Sequence, residues 1–186
     1  GDELRWTDQR RFGTWELTDE PGRAMPAIGP EPLDDGWLPE HLGVALAGRS
    51  APVKAILLDQ QRVAGLGNIY ADESLHLARV HPGRPAGTLT AEEVTRLHAA
   101  IRSVLALAIE LQGSSAQHHV GGLGQRGAMQ EQWRVYQRAS EPCRECDTPI
   151  ARTRVAGRGT HYCPCCQPPW TPATPATNGV QSNGNT

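Results

Sequence analysis

The sequence predicts an α+β chain in which short N-terminal strands lead through a linker into a helical middle and then a cysteine-rich β-hairpin. Three observations predict it. Residues 90–113 combine a capping box with apolar residues at helical spacing. Residues 143–166, CRECDTPIARTRVAGRGTHYCPCC, hold two C-x-x-C pairs with sixteen residues between them. Residues 4–20, LRWTDQRRFGTWELTDE, set short apolar pairs on either side of a turn-like Asp8-Gln9-Arg10-Arg11 segment, which reads as two short strands.

The elements follow in order. Residues 21–39 contain five prolines and three glycines and read as a linker. PVKAILLDQ then opens a helix, with Pro52 in its first turn and Val53, Ile56 and Leu57 on one face. In QRVAGLGNIYADESLHLARV, two glycines precede a periodic run through Ile69, Leu75, Leu77 and Ala78, and Asn68 stands where an N-cap belongs. Thr90-Ala91-Glu92-Glu93 starts the longest helix, with Val94, Leu97, Ile101, Val104, Leu105 and Ala108 on its inner face and Gly113 ending it. SSAQHHVGGLGQRGAMQ reads as an exposed, mobile loop. QPPWTPATPATNGVQSNGNT, after Cys166, reads as a disordered tail.

With 186 residues, the chain forms one large domain or two small ones. It has no run of eighteen apolar residues and no signal-peptide pattern, so we expect no membrane span. The opening GDELRWTDQRRFG lacks Met, which we read as a processed or truncated N-terminus. The net charge of −2 is uneven: residues 1–40 carry ten acids against four arginines, and the remainder fourteen basic residues against ten acids. Lys54 is the only lysine. Arginine suits bidentate phosphate contact, although genome composition would give the same bias.

Five cysteines, four of them in tight pairs, fit a metal site in a reducing compartment, hence the cytoplasm. One structural zinc on Cys143, Cys146, Cys163 and Cys166 suits the spacing of a β-hairpin zinc ribbon. Cys165 competes with Cys166 for the fourth place, and His161 is a lesser substitute. Four sulfurs leave no open position, so the metal stiffens the arm and does no chemistry. On that arm Arg158 lies between two glycines and favours phosphate contact, whereas Arg152 and Arg154 read as a solvated charged face. Gly65 and Gly67 before the Asn68 helix make a candidate anion site, since a helix N-terminus presents free N–H groups. A plain helical corner explains the same residues.

KAILLDQQRVAGLGNIYADESL, HPGRPA and VYQRASEPCRECDTPIARTRVAGRGTHYCPCCQ resemble the C-terminal half of bacterial formamidopyrimidine-DNA glycosylases, and TDQRRFG resembles the end of that family's N-terminal β-sandwich. The resemblance covers about residues 3–167. It implies a β-sandwich remnant over 1–30, a linker and helix–two-turn–helix domain over 31–133, a zinc ribbon over 134–167 and a tail over 168–186. The implied function is base-excision repair: excision of oxidised purines such as 8-oxoguanine and formamidopyrimidines, followed by β,δ-elimination at the abasic site. The implied partner is duplex DNA carrying those lesions or abasic sites, bound by a monomer.

The same resemblance assigns roles. Asn68 and Lys54, with Gly67 and nearby Arg49, would hold phosphates around the extruded nucleotide. Arg158 would bind phosphate and donate a proton during elimination. Arg10 would fill the gap left by the flipped base and Phe12 would wedge beside the opposite base, although Phe12 also fits an ordinary core. The chain departs from the family at its start. The proline nucleophile, the glutamate that follows it and a further lysine have no counterpart here, so the sequence reads as the DNA-binding part without its nucleophile. A non-catalytic zinc-ribbon module and the sister activity on oxidised pyrimidines remain alternatives.

Overall fold

The computed structural model describes residues 28–113 and 127–171, together with Trp6, Gly13, Leu17 and Asp19. Arg10, Phe12, the two expected N-terminal strands and most of the 114–130 loop lie outside the described residues. Four α-helices and one hairpin organise the rest: α1 (Pro39–Leu46), α2 (Val53–Leu57), α3 (Asn68–Leu77), α4 (Ala91–Glu110), β1 (Ala151–Val155) and β2 (Arg158–Tyr162). Among the described residues no helix is long and apolar enough to cross a membrane.

Helix α4 forms as its sequence dictates. Thr90 caps it by accepting from the Glu93 N–H, while Glu93 accepts from the Thr90 N–H in return. Val94, Leu97, Ile101, Val104 and Ala108 are buried, and they pack with residues of α1, α2 and α3. Its end differs in detail from expectation. Gln112 (φ 56°) turns left-handed already one residue before Gly113 (φ 80°). The Gly113 N–H then reaches back to Ala108 O (2.7 Å) and the Gln112 N–H to Ile109 O (3.0 Å), which closes the last carbonyls.

Between α2 and α3 the chain makes a double turn over residues 58–67. Gln60 holds it from inside, accepting from the Gly65 N–H (2.9 Å) and donating to Leu66 O (3.1 Å). Gly65 has φ +70°, a conformation glycine supplies at no steric cost. The HPGRPA segment lies beside α2: the Val53 N–H donates to Arg84 O and the Ala86 N–H to Ala51 O. Arg84 in turn reaches Glu93 (2.6 Å), so this strap braces the cap of α4.

Three segments are more ordered than the sequence implies. The second half of the proline-rich linker docks on the helices through buried Trp37, and Arg102 donates to the carbonyls of Pro32 and Asp34. Gly29 is held by its N–H bond to Gln60 O, against a backbone so close that a Cβ would fall 2.7 Å from Gln61. At the end of the expected mobile loop, Met129 is buried with Trp133 against Val104 and Ala108. The tail does not start at Cys166: Gln167 is fully buried, and Arg84 lies over the Trp170 ring. In each case an apolar or amide side chain supplies an anchor that local composition hides.

The hairpin pairs Ala151 with Tyr162 through Val155 with Arg158 in antiparallel register. Ala156 (φ 49°) and Gly157 (φ 74°) form a two-residue turn with both residues left-handed, the geometry that matches strand twist. Arg158 therefore stands at the tip, exposed.

Candidate nucleic-acid interface and metal centre

The sulfur atoms of Cys143, Cys146, Cys163 and Cys166 all lie within 4.8 Å of one another. Their separations include 3.5 Å (Cys146 to Cys163 and to Cys166) and 3.9 Å (Cys143 to Cys166). Tetrahedral zinc at about 2.3 Å from each sulfur requires about 3.8 Å between sulfurs. The residues fit one structural zinc, and they settle the choice at the second pair: Cys165 is exposed and outside the group. His161 also lies outside that group. Hydrogen bonds with Thr148 hold the Cys146 thiol down to about 6, while burial pushes the Cys163 and Cys166 thiols up. A metal that binds thiolates removes those protons. His76, whose pKa burial lowers, places Nε2 3.6 Å from Cys143 Sγ.

The ribbon is locked to α3 by two adjacent acids that sequence reading did not single out. Asp72 and Glu73 are each 1% exposed. Asp72 accepts the His161 N–H (2.9 Å), fixing β2. Glu73 accepts three consecutive backbone N–H groups, from Arg134 (2.8 Å), Val135 (3.0 Å) and Tyr136 (2.8 Å). Burial pushes the Glu73 carboxyl above the usual range, and those three donors oppose the shift. Gln167 adds a third tie, accepting from the Cys163 N–H and donating to Val80 O.

Lys54 is fully buried. An ammonium has three donors, and here all three have partners: Asp72 Oδ1 (2.6 Å), Thr160 Oγ1 (2.7 Å) and Gly159 O (3.0 Å). Burial lowers its pKa, Asp72 opposes that shift, and the Arg158 charge adds to it. Lys54 thus fixes the hairpin beside Arg158 from beneath.

Asn68 also departs from its expected role. Gly67, extended at φ −94°, occupies the N-cap position of α3, and Asn68 is its first residue. The Asn68 amide donates instead to Gly159 O (3.1 Å), so it bonds across to the ribbon and not to its own helix. One carbonyl, Gly159 O, therefore accepts from both Asn68 and Lys54, which brings the start of α3 and the hairpin tip together. Arg49 is exposed in the α1–α2 loop and makes no hydrogen bond or ion pair through its side chain to either residue.

Two glycines frame this junction. Gly67 and Gly159 have no atom within 4 Å of where a Cβ would stand, and neither has a left-handed φ. Among the glycines whose surroundings are described, they alone combine both properties. The chain itself needs glycine at neither place. Each leaves open space beside free helix N–H groups or beside Arg158, and an approaching backbone can use that space.

Comparison with known proteins gives matches in both parts. Residues 28–120 match the formamidopyrimidine-DNA glycosylase H2TH domain, and residues 140–169 match the zinc finger found in FPG and IleRS. The chain is 51% identical over 172 residues to a formamidopyrimidine-DNA glycosylase of Symbiobacterium thermophilum, covering 90% of this chain and 56% of that protein. Its structure is similar to the crystal structure of MutM (Fpg) from Thermus thermophilus, with TM-score 0.73 and 47% identity over 76% of this chain and 54% of that one. It is also similar to the Lactococcus lactis Fpg in complex with abasic-site DNA, with TM-score 0.72 and 40% identity over 77% of this chain and 52% of that one. The chain thus spans little more than half the length of these relatives.

Proposed function

Because the chain belongs to the formamidopyrimidine-DNA glycosylase family, we propose that it is the DNA-gripping part of a base-excision-repair glycosylase and abasic-site lyase acting on oxidised purines. Its helix–two-turn–helix and zinc ribbon hold one strand of duplex DNA around a damaged or abasic site. The Lactococcus lactis relative, complexed with abasic-site DNA, supports that choice of partner. The observation that carries the proposal is the pair of open glycines, Gly67 and Gly159, beside Asn68 and Arg158.

In this reading the first turn of α3 offers its free N–H groups and helix dipole to a phosphate, and Asn68 gives its second amide hydrogen to the same group. Arg158 meets a phosphate from the ribbon side. A guanidinium keeps its proton at neutral pH, so Arg158 serves the elimination step by charge-assisted hydrogen bonds to the departing phosphate. Zinc, once bound, keeps the hairpin rigid. Arg10 and Phe12 fill the vacated stack. For these residues the proposal is strand binding and assistance of elimination.

Gly67→Ala tests this. The position has room for a methyl group and an extended φ, so the protein should stay folded, with thermal stability slightly lowered because alanine is a poorer N-cap than glycine. The added Cβ would stand where a phosphate approaches, and duplex affinity should fall about tenfold. Unchanged affinity in a folded Gly67→Ala protein would overturn the reading.

A further inference from the structure

The four sulfurs of the metal site are served by different donors. Four thiolates outweigh the charge of one zinc ion, so the loaded site is an anion, and two of its ligands, Cys143 and Cys163, are fully buried. A buried anion without hydrogen-bond donors is costly. Cys163 Sγ accepts from the Cys166 N–H (3.4 Å), and Thr148 supplies hydrogen bonds to Cys146. Among the described residues, the partner of Cys143 Sγ other than a cysteine is His76, whose Nε2 lies 3.6 Å away.

His76 comes from the last turn of α3 and is 1% exposed. Its Nδ1 is buried and has no hydrogen-bond partner among the described residues. Burial disfavours the charged ring, and a neutral imidazole carries one N–H, on one nitrogen or the other. On Nδ1 that hydrogen would meet no acceptor and would leave the Nε2 lone pair facing a thiolate. On Nε2 it meets Cys143.

We propose that His76 is a positioning residue for the metal: its Nε2–H donates to the Cys143 thiolate, steadies that ligand's charge and direction, and ties the zinc site to α3. This bond requires the zinc site alone and is independent of DNA. Asn68, the first residue of the same helix, bonds to Gly159 O at the hairpin tip. Helix α3 thus holds the ribbon twice, at the tip through its first residue and at the metal through its last turn. Partners placed just outside a metal's ligands are worth about tenfold to a hundredfold in metal affinity.

Two experiments separate this role from simple packing. In the wild-type chain loaded with a spin-active cadmium isotope in place of zinc, nuclear magnetic resonance should place the His76 hydrogen on Nε2 and show scalar coupling from it to the metal through sulfur. A hydrogen on Nδ1, or an Nε2–H without that coupling, would overturn the proposal. Competition with a chromophoric zinc chelator is the second. His76→Phe keeps an aromatic ring but has no donor, and it should bind zinc about tenfold more weakly. His76→Gln loses the ring but carries an amide N–H of similar reach, and it should recover most of that affinity. Unchanged affinity in His76→Phe, or equal loss in both variants, would make ring packing the role and overturn the proposal. The cadmium spectra use the unaltered chain, so they decide the matter if a variant fails to fold.

Discussion

Stripping zinc with a strong chelator is expected to unfold the ribbon as a unit and weaken duplex binding by on the order of a hundredfold. The ribbon's buried cluster consists of Val135, Ile150, Cys143 and Cys163, with Cys146 and Cys166 at its edge. Only two of these are not metal ligands. Burying two aliphatic side chains is worth about 3–6 kcal/mol, whereas structural zinc in comparable sites contributes about 10–16 kcal/mol. The metal outweighs the aliphatic core, so its removal releases the hairpin and leaves Arg158 and Arg152 without a fixed position. Helix α4 keeps its cap and its own core with α1–α3, so far-ultraviolet circular dichroism should retain most of its helical signal. Readdition of zinc should restore binding. A chelated protein that still binds DNA as before would show that the ribbon is dispensable.

The second large effect is expected from Lys54→Met. The substitution keeps length and apolar stem but leaves Asp72, itself 1% exposed, as an unpaired buried carboxylate. Breaking one side of a buried ion pair costs about 3–5 kcal/mol, a large fraction of a small domain's stability. Asp72→Asn added to Lys54→Met removes the orphaned charge and keeps an oxygen for the His161 N–H, so the double variant should recover most of the loss. Urea unfolding of the zinc-loaded proteins measures both. If Lys54→Met unfolds at the wild-type midpoint yet loses DNA affinity, Lys54 acts on DNA directly and the buried-pair assignment is wrong.

Those two residues also show where sequence reading stops. The capping box at Thr90, the inner face of α4 and the cysteine spacing are local signals, each complete within a few turns of chain, and the structure shows each of them. The partners of Lys54 lie at Asp72, Thr160 and Gly159, far from it along the chain. Asp72-Glu73 reads as a polar helix surface until the ribbon is packed on it. One clue was present: a lone lysine between Val53, Ile56 and Leu57, all now buried, is a charge on an apolar face and calls for a buried partner. Asn68 misled for the opposite reason. Its N-cap signal was sound by propensity, but a distant carbonyl, Gly159 O, takes its amide. Trp37 and Gln167 likewise anchor segments that proline and glycine content marks as loose.

In the proposed function, the start of α3 and the zinc-braced hairpin act as one phosphate grip. Salt dependence of duplex binding probes that grip most directly, with zinc-loaded wild type compared against Arg158→Ala. With Arg158 and Arg49 each meeting a phosphate, log affinity should fall against log salt with a slope of about −2. Arg158→Ala should lower its magnitude by about one while zinc content stays the same. A salt-independent affinity, or a slope that Arg158→Ala leaves untouched, would contradict the grip.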